Sequence, residues 1–368
     1  MVTNTEVTAH PSLRDQVARI LEAEIRKNAY PQRLLPGVRV LAQRFGVSTM
    51  TITGALDALE ALKLIERVKG KGVFIRDKRG RTAKLAPRVR QVGVFCHSTP
   101  ERLAEDSYNG EIWTGLLDSA ARSSLRLTVV GLGQGGEAAQ VRRALAEMPL
   151  EGGVLLGLTD RAALLRLERL RLPLVLADAH FEGVATDCVT LDSRQGSLAA
   201  VRHLLELGHR EIGLVTSPRV ADNPERWEGF RAGLAAAGLD PDRAFVRSCE
   251  AGREQGHRLM KEALAGGVRL PSALYVWCGP VAGGIAGALR ESGVRVPQDV
   301  SVVACASRRF MRWFPEITAV VADGVAVGTK AVELLHRRIE DPEARPQTVR
   351  LPMPLEVRAS SGRPGPAR

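Results

Sequence analysis

The residues able to do chemistry fall into three groups along the chain. The first is cationic. Residues 1–90 hold 18 Lys/Arg against 8 Asp/Glu, while residues 91–368 hold 34 against 33, so nearly all of the formal net charge of +11 sits in one quarter of the chain. A polyanion is the natural partner of such asymmetry, although a solvated basic face has the same composition. The second group is glycine-rich. Gly131, Gly133 and Gly136 stand in G-x-G-x-x-G spacing behind the strand-like LRLTVV, with Asp160 24 residues beyond Gly136. That pattern holds a dinucleotide when it follows the first strand of a domain. Here QVGVFC precedes it, which favours a plain loop after a second strand over a nucleotide site. The third group is Cys96, Cys188, Cys249, Cys278 and Cys305, odd in number and mostly set in apolar runs, which reads as buried reduced thiols.

The seven histidines form no HExxH and no Cys/His cluster with ligand spacing, so no metal and no cofactor are expected. No G-x-S-x-G elbow, Walker loop or paired-carboxylate motif occurs, and the chain is not expected to be an enzyme. Trp113, Trp227, Trp277 and Trp313 are read as core residues rather than as the lining of a cleft. The opening MVTNTEVTAHPSLRDQ lacks the features of a secretory leader, and no apolar run approaches the ~18 residues of a membrane span. A cytoplasmic location without membrane contact is expected.

These groups need elements to hold them. At 368 residues the chain exceeds one average domain of roughly 150 residues, so several cores are expected. Leu13, Val17, Ile20, Leu21 and Ile25 have helical spacing and predict a first helix over 12–28. Leu35-Pro36-Gly37 interrupts it. Val38 to Phe45 reads as a short second helix stopped at Gly46, and Ser48 can cap a third. In that third helix Ile52, Ala55, Leu56, Leu59 and Leu62 share one face, while Thr49, Met50, Thr51, Thr53 and Asp57 point away. Two β-like segments, 65–68 and 73–76, follow, joined through Lys69-Gly70-Lys71-Gly72, a glycine-bearing tip flanked by lysines. Three helices and a basic hairpin make a winged helix-turn-helix, whose third helix enters the major groove while the tip reaches toward the minor groove.

The stretch LPGVRVLAQRFGVSTMTITGALDALEALKLIERVKGKGVFI resembles the DNA reader of the GntR family over its whole length. The resemblance implies DNA contacts at Arg39, Thr49, Thr51, Thr53 and Gly70, with Lys69 and Lys71 beside the tip. The family usually carries arginines where this chain has Thr49 and Thr53, so bidentate Arg–guanine readout there is unavailable and the operator should differ from the family's common one. Residues 76–90 contain seven Lys/Arg and no apolar periodicity. They read as a linker, either tracking phosphate or acting as a solubilising tether.

From residue 91 onward QVGVFC, LRLTVV, GGVLLGL, PLVLAD, CVTLD, REIGLVTS, SALYVWC and SVVACA alternate with helical patterns. The expected fold class is therefore α/β, with two doubly wound parallel lobes and a ligand cleft at the carboxyl ends of the strands. AVRHLLELGHREIGLV, ERWEGFRAGLAAAGL and ALRESGVRVPQDVSVVA resemble the LacI/GalR sensor, built like periplasmic sugar-binding proteins. The combination resembles the arabinose-repressor type. By that resemblance Arg226 clamps ligand hydroxyls, with Asp178 and Asp192 at pocket-lining positions. The competing reading of Arg226 is a structural ion pair. Cys278-Gly279, Ala306 and Ala251 stand where the family has further polar groups and a stacking ring, so a common hexose or pentose is not expected.

The expected organisation is a winged helix-turn-helix at 1–76, a basic linker at 77–90, a two-lobed sensor and dimerisation domain at 91–360, and a tail at 361–368. The implied function is a homodimeric transcription regulator, of repressor type, that binds an operator in double-stranded DNA under control of a small molecule such as a sugar derivative. Two alternatives stand beside it: a constitutive DNA-binding regulator whose sensor has lost its ligand, and a winged-helix repressor sensing NAD.

Overall fold

The computed structural model describes residues 12–26, 30, 34–68, 72–76, 89–96, 107–133, 137–158, 160–218 and 224–365. The chain divides into two compact units, Met1–Arg88 and Val89–Arg368.

The first unit contains α1 (Leu13–Arg26), β1 (Leu34–Leu35), α2 (Val38–Phe45), α3 (Thr49–Ala61), β2 (Ile65–Val68) and β3 (Gly72–Ile75). Gly46 ends α2 in the left-handed region at φ 63°, where a side chain would be strained. Two residues later Ser48 starts α3, its side chain accepting from Thr51 N at 3.1 Å. Ile52, Ala55, Leu56 and Leu59 of α3 pack on Val17 and Leu21 of α1, Leu41 of α2 and Ile65 of β2. The expected apolar faces are wider than the buried ones. Leu13 and Ile20 of α1 are exposed, as is Leu62, which lies one residue past the end of α3. β3 pairs antiparallel with β2 and with β1 on its other side. The dipeptide Leu34-Leu35, whose second residue opens the Leu35-Pro36-Gly37 break read above, is therefore a third strand of the wing.

The second unit has two six-stranded sheets. The first lobe contains β4 (Arg90–Cys96), α4 (Ser107–Arg122), β5 (Leu125–Gly131), α5 (Glu137–Glu147), β6 (Gly153–Leu156), α6 (Arg161–Glu168), β7 (Leu174–Ala177) and β8 (Asp187–Leu191). The chain then crosses into α7 (Ser193–Glu206), β9 (Ile212–Thr216), α8 (Pro224–Ala236), β10 (Val246–Ser248), α9 (Arg253–Ala265), β11 (Ala273–Val276), α10 (Gly279–Glu291), β12 (Ser301–Ser307), α11 (Arg308–Trp313) and β13 (Thr318–Ala322). It returns through α12 (Gly324–Glu340) and β14 (Thr348–Leu351), and crosses again to β15 (Leu355–Glu356). The sheet orders are β14-β8-β7-β6-β4-β5 and β10-β9-β11-β12-β13-β15. In each, the chain's first strand of that lobe lies inside, with the second at its outer edge and the third on its other flank. That reversal opens a crevice at the strand carboxyl ends. Every pairing is parallel except β13 with β15.

The strands β10, β13, β14 and β15 have no counterpart in the sequence reading. β13 is a five-residue run buried throughout, which periodicity cannot tell from a helical segment, and β10, β14 and β15 are short or half-exposed. Asp192 and Asp323 start the helices that carry two of the crossings, accepting from Gln195 N at 3.0 Å and Ala326 N at 2.9 Å. Helices meet backbone to backbone at glycines: a Cβ on Gly328 of α12 would lie 2.1 Å from the Ile112 carbonyl of α4, and one on Gly284 of α10 would lie 1.9 Å from that of Arg253. Buried Asp187 accepts from Arg337 at 2.6 Å, Arg338 at 2.7 Å and the Gln347 amide at 2.8 Å, tying α12 and the approach to β14 onto β8. No helix among the described residues is long and apolar enough to cross a membrane.

Candidate nucleic-acid interface and ligand cleft

In the first unit, α3 is a helix buried on one side and open on the other. Thr49 and Thr53 are exposed on the open side, whereas Thr51 is half-buried. Thr53 Oγ1 donates to the Thr49 carbonyl at 2.9 Å, and Thr51 Oγ1 shares a 2.9 Å hydrogen bond with Ser48 Oγ. Arg39, at the second position of α2, is exposed and makes no ion pair among the described residues. Arg67 of β2 braces α3, donating to the Thr53 carbonyl at 3.0 Å and pairing with Asp57 at 2.7 Å. Arg44, though exposed, is engaged by Glu24 and Tyr30, whose hydrogen bonds raise its pKa above the usual guanidinium value. Lys69, Gly70 and Lys71 lie outside the described residues.

In the second unit, polar groups gather where strands end. Asp178 follows β7 at φ 60°, a left-handed conformation that aspartate tolerates better than most side chains. Its Oδ1 accepts from Tyr108 Oη of α4 at 2.7 Å. From the other lobe, Arg226 of α8 donates Nη1 to the carbonyl of Trp277, directly after β11, at 2.8 Å. Burial works against the Arg226 charge, but Cys305, Tyr275, Asp178 and Tyr108 lie near enough to outweigh it, and the guanidinium stays charged. Burial, reinforced by Asp178, holds the Tyr108 hydroxyl well above its ordinary pKa, so it remains a donor. Trp277 Nε1 is a buried donor with no acceptor among the described residues.

The structure therefore brings Arg226 and Asp178 together and adds Tyr108 and Tyr275, which sequence reasoning missed, and Trp277, which it read as core. Their signal is only aromaticity at element ends. Asp192 stands at the helix cap described above, beside Arg350 of β14. Arg350 in turn pairs with Glu225 of α8 at 2.6 Å, an ion pair that bridges the lobes. Cys278 precedes α10, its thiol pushed by burial up to about 12 and therefore protonated at neutral pH. Ala306 is buried in β12 and Ala251 is exposed. Trp113, Trp227 and Trp277 pack against the hydrophobic cores, while Trp313 is largely exposed beneath Arg309.

The glycine-rich segment follows edge strand β5, whose Gly131 pairs with Cys96 at the end of β4, and Gly136 lies outside the described residues. Asp160 accepts from Ala162 N at 2.8 Å as the cap of α6. All five cysteines are free thiols, and no set of groups able to hold a metal occurs among the described residues.

Residues 13–75 match the family model "Bacterial regulatory proteins, gntR family", and residues 201–361 match "Periplasmic binding protein-like domain". The chain joins a gntR-type reader to a periplasmic-binding-protein-like domain. The HTH-type transcriptional repressor PurR of Pasteurella multocida is 28% identical over 191 residues, 51% of this chain and 57% of that protein. The chain spans about half the length of the curated relatives it matches.

Among solved structures, a LacI family transcriptional regulator from Enterococcus faecium with bound ribose superposes with TM-score 0.65 at 21% identity, covering 74% of this chain and 99% of that one. The lac repressor dimer bound to operator and the anti-inducer ONPF gives TM-score 0.65 at 21% identity, covering 75% and 96%. The α/β fold with a LacI-like two-lobed unit behind a helix-turn-helix reader is therefore established. The relatives named here are transcription regulators.

Proposed function

We propose that this chain is a sequence-specific DNA-binding transcription regulator of repressor type, whose operator affinity changes when a small molecule enters the cleft between the two lobes. One observation carries the reading: a capped helix with an open face stands in a strongly basic reader on the same chain as a two-lobed unit with convergent polar groups. Arg39, Thr49, Thr51 and Thr53, with Lys69, Gly70 and Lys71 of the tip, supply the DNA contacts. Arg226 and Asp178 supply the effector's polar grip, joined by Tyr108 and Trp277, while Asp192 acts at one step removed by holding α7. A homodimer follows from the pairing of half-sites with readers, and a protein that binds the cell's own operator DNA works in the cytoplasm. The pairing of domain types also resembles the arabinose-repressor type, with 1–76 as reader, 77–90 as linker and 91–360 as sensor. A bound ribose in one structural neighbour supports a polyol or sugar derivative as the effector class.

A second reading has its own support. Arg226 already donates to a main-chain carbonyl and Asp178 already accepts from Tyr108, so part of the cleft's polar capacity is met within the protein. A sensor satisfied in this way could serve dimerisation alone. Footprinting upstream of the protein's own gene, with and without mixtures of polyols and sugar phosphates, separates the two. Protection altered by a metabolite supports allosteric control; protection indifferent to all of them supports the constitutive regulator; no protection removes both.

A further inference from the structure

The open face of α3 carries little polar capacity for a surface that meets a nucleic acid. Thr49, Thr53 and Asp57 follow at spacings of four, with Met50 three residues before Thr53, and form one stripe. Met50 is 84% exposed, the most exposed large apolar residue among those described. The hydroxyl of Thr53 is engaged with the carbonyl of Thr49, the hydroxyl of Thr51 with Ser48, and the carboxylate of Asp57 with Arg67. Besides the exposed Thr49 hydroxyl, the first two turns offer outward a thioether and threonine methyl groups, within a segment, residues 1–90, whose net charge of +10 suits duplex DNA.

In the major groove thymine alone presents a methyl group, and apolar side chains recognise it by contact. We propose that this helix selects its half-site chiefly through thymine methyls, with Met50 as the specificity-determining residue and Thr49 and Thr53 as flanking apolar contacts. The proposal rests on the reader being a DNA-binding element and names the base chemistry that element reads.

The test uses the full-length protein to select from a random-sequence duplex pool. The selected duplex is then remade with deoxyuridine for thymidine in the half-sites; uracil pairs as thymine does and lacks only the methyl. Affinity should fall about fourfold for each contacted methyl, the value of one buried carbon unit. Met50→Gln, close in size but polar, should bind the two duplexes with more nearly equal affinity, and Met50→Leu should keep the discrimination. Because Met50 is exposed, both variants should unfold at the temperature of the parent. Half-sites without thymine, equal binding of the uracil duplex, or undiminished discrimination by Met50→Gln each overturn the proposal. Binding to duplexes without sequence preference also overturns it while leaving DNA binding intact, whereas failure to bind any duplex removes the DNA reading itself.

Discussion

Arg226 shows how far single residues can be read. The family resemblance, through its place before Trp227-Glu228-Gly229-Phe230, implied a clamp, and the structure aims it at the carboxyl end of β11, near Asp178 of the opposite lobe. Asp192 carried two signals at once. It stands where a pocket residue is expected, yet three residues before Gln195, the spacing of a helix cap, and its carboxylate is engaged as that cap. Tyr108 was illegible, and Trp277 was read only as core, because their meaning at the cleft depends on which strand ends meet, and spacing along the chain does not record that. If the cleft holds an effector, a ligand at 100 times its Kd should add about 2.7 kcal/mol to folded-state stability. Arg226→Ala should abolish that gain, read as a thermal shift, while operator binding persists. A shift equal in parent and variant would move the effector site away from Arg226.

Among elements, helices of the reader and the alternating strands of the lobes were legible from period alone. The short partners β1, β10, β14 and β15 were not, because two to four residues carry too little pattern. Glycine contacts were equally hidden. Gly284→Ala should lower stability by about 1–3 kcal/mol or more, as expected for overpacking where backbone rather than a flexible side chain is met, and thermal unfolding measures it.

The Glu225–Arg350 pair joins α8 to β14 across the lobes. Reversing one charge, as in Arg350→Glu, should favour lobe opening, visible as greater scattering radius of the effector-free protein, and the double swap Glu225→Arg with Arg350→Glu should restore it. The C-terminal segment is held through buried His209, whose Nε2 donates to the Gly362 carbonyl at 2.9 Å, and through His203, bonded to Ser361 Oγ at 2.8 Å. Burial lowers both imidazoles below their ordinary value of 6.5; Gly362 opposes the shift at His209, and Glu206 opposes it at His203. A lowered histidine pKa leaves the unfolded chain binding more protons, so stability should be insensitive above pH 6.5 and fall as pH drops below it. The slope of unfolding free energy against pH should flatten in a variant with both residues replaced by Gln.

At the scale of the molecule, the sequence recorded the division into a basic reader and a near-neutral two-lobed unit through charge placement, which needs no structure to see. Which surfaces pair two copies is not written in periodicity, since a face that meets a partner and a face that meets a core share the same pattern. Light scattering of the intact chain should give a dimer, and its selected operator should have half-sites about one helical turn, or a multiple of it, apart. The central claim is that the first unit binds duplex DNA with sequence specificity. Its most direct test is the affinity of the intact protein for a selected duplex and for a scrambled one across a salt series. The selected duplex should bind at least a thousandfold more tightly, with both affinities falling by roughly 0.9 log units per decade of salt for each phosphate neutralised. Equal affinity for the two duplexes, or affinity indifferent to salt, would contradict it.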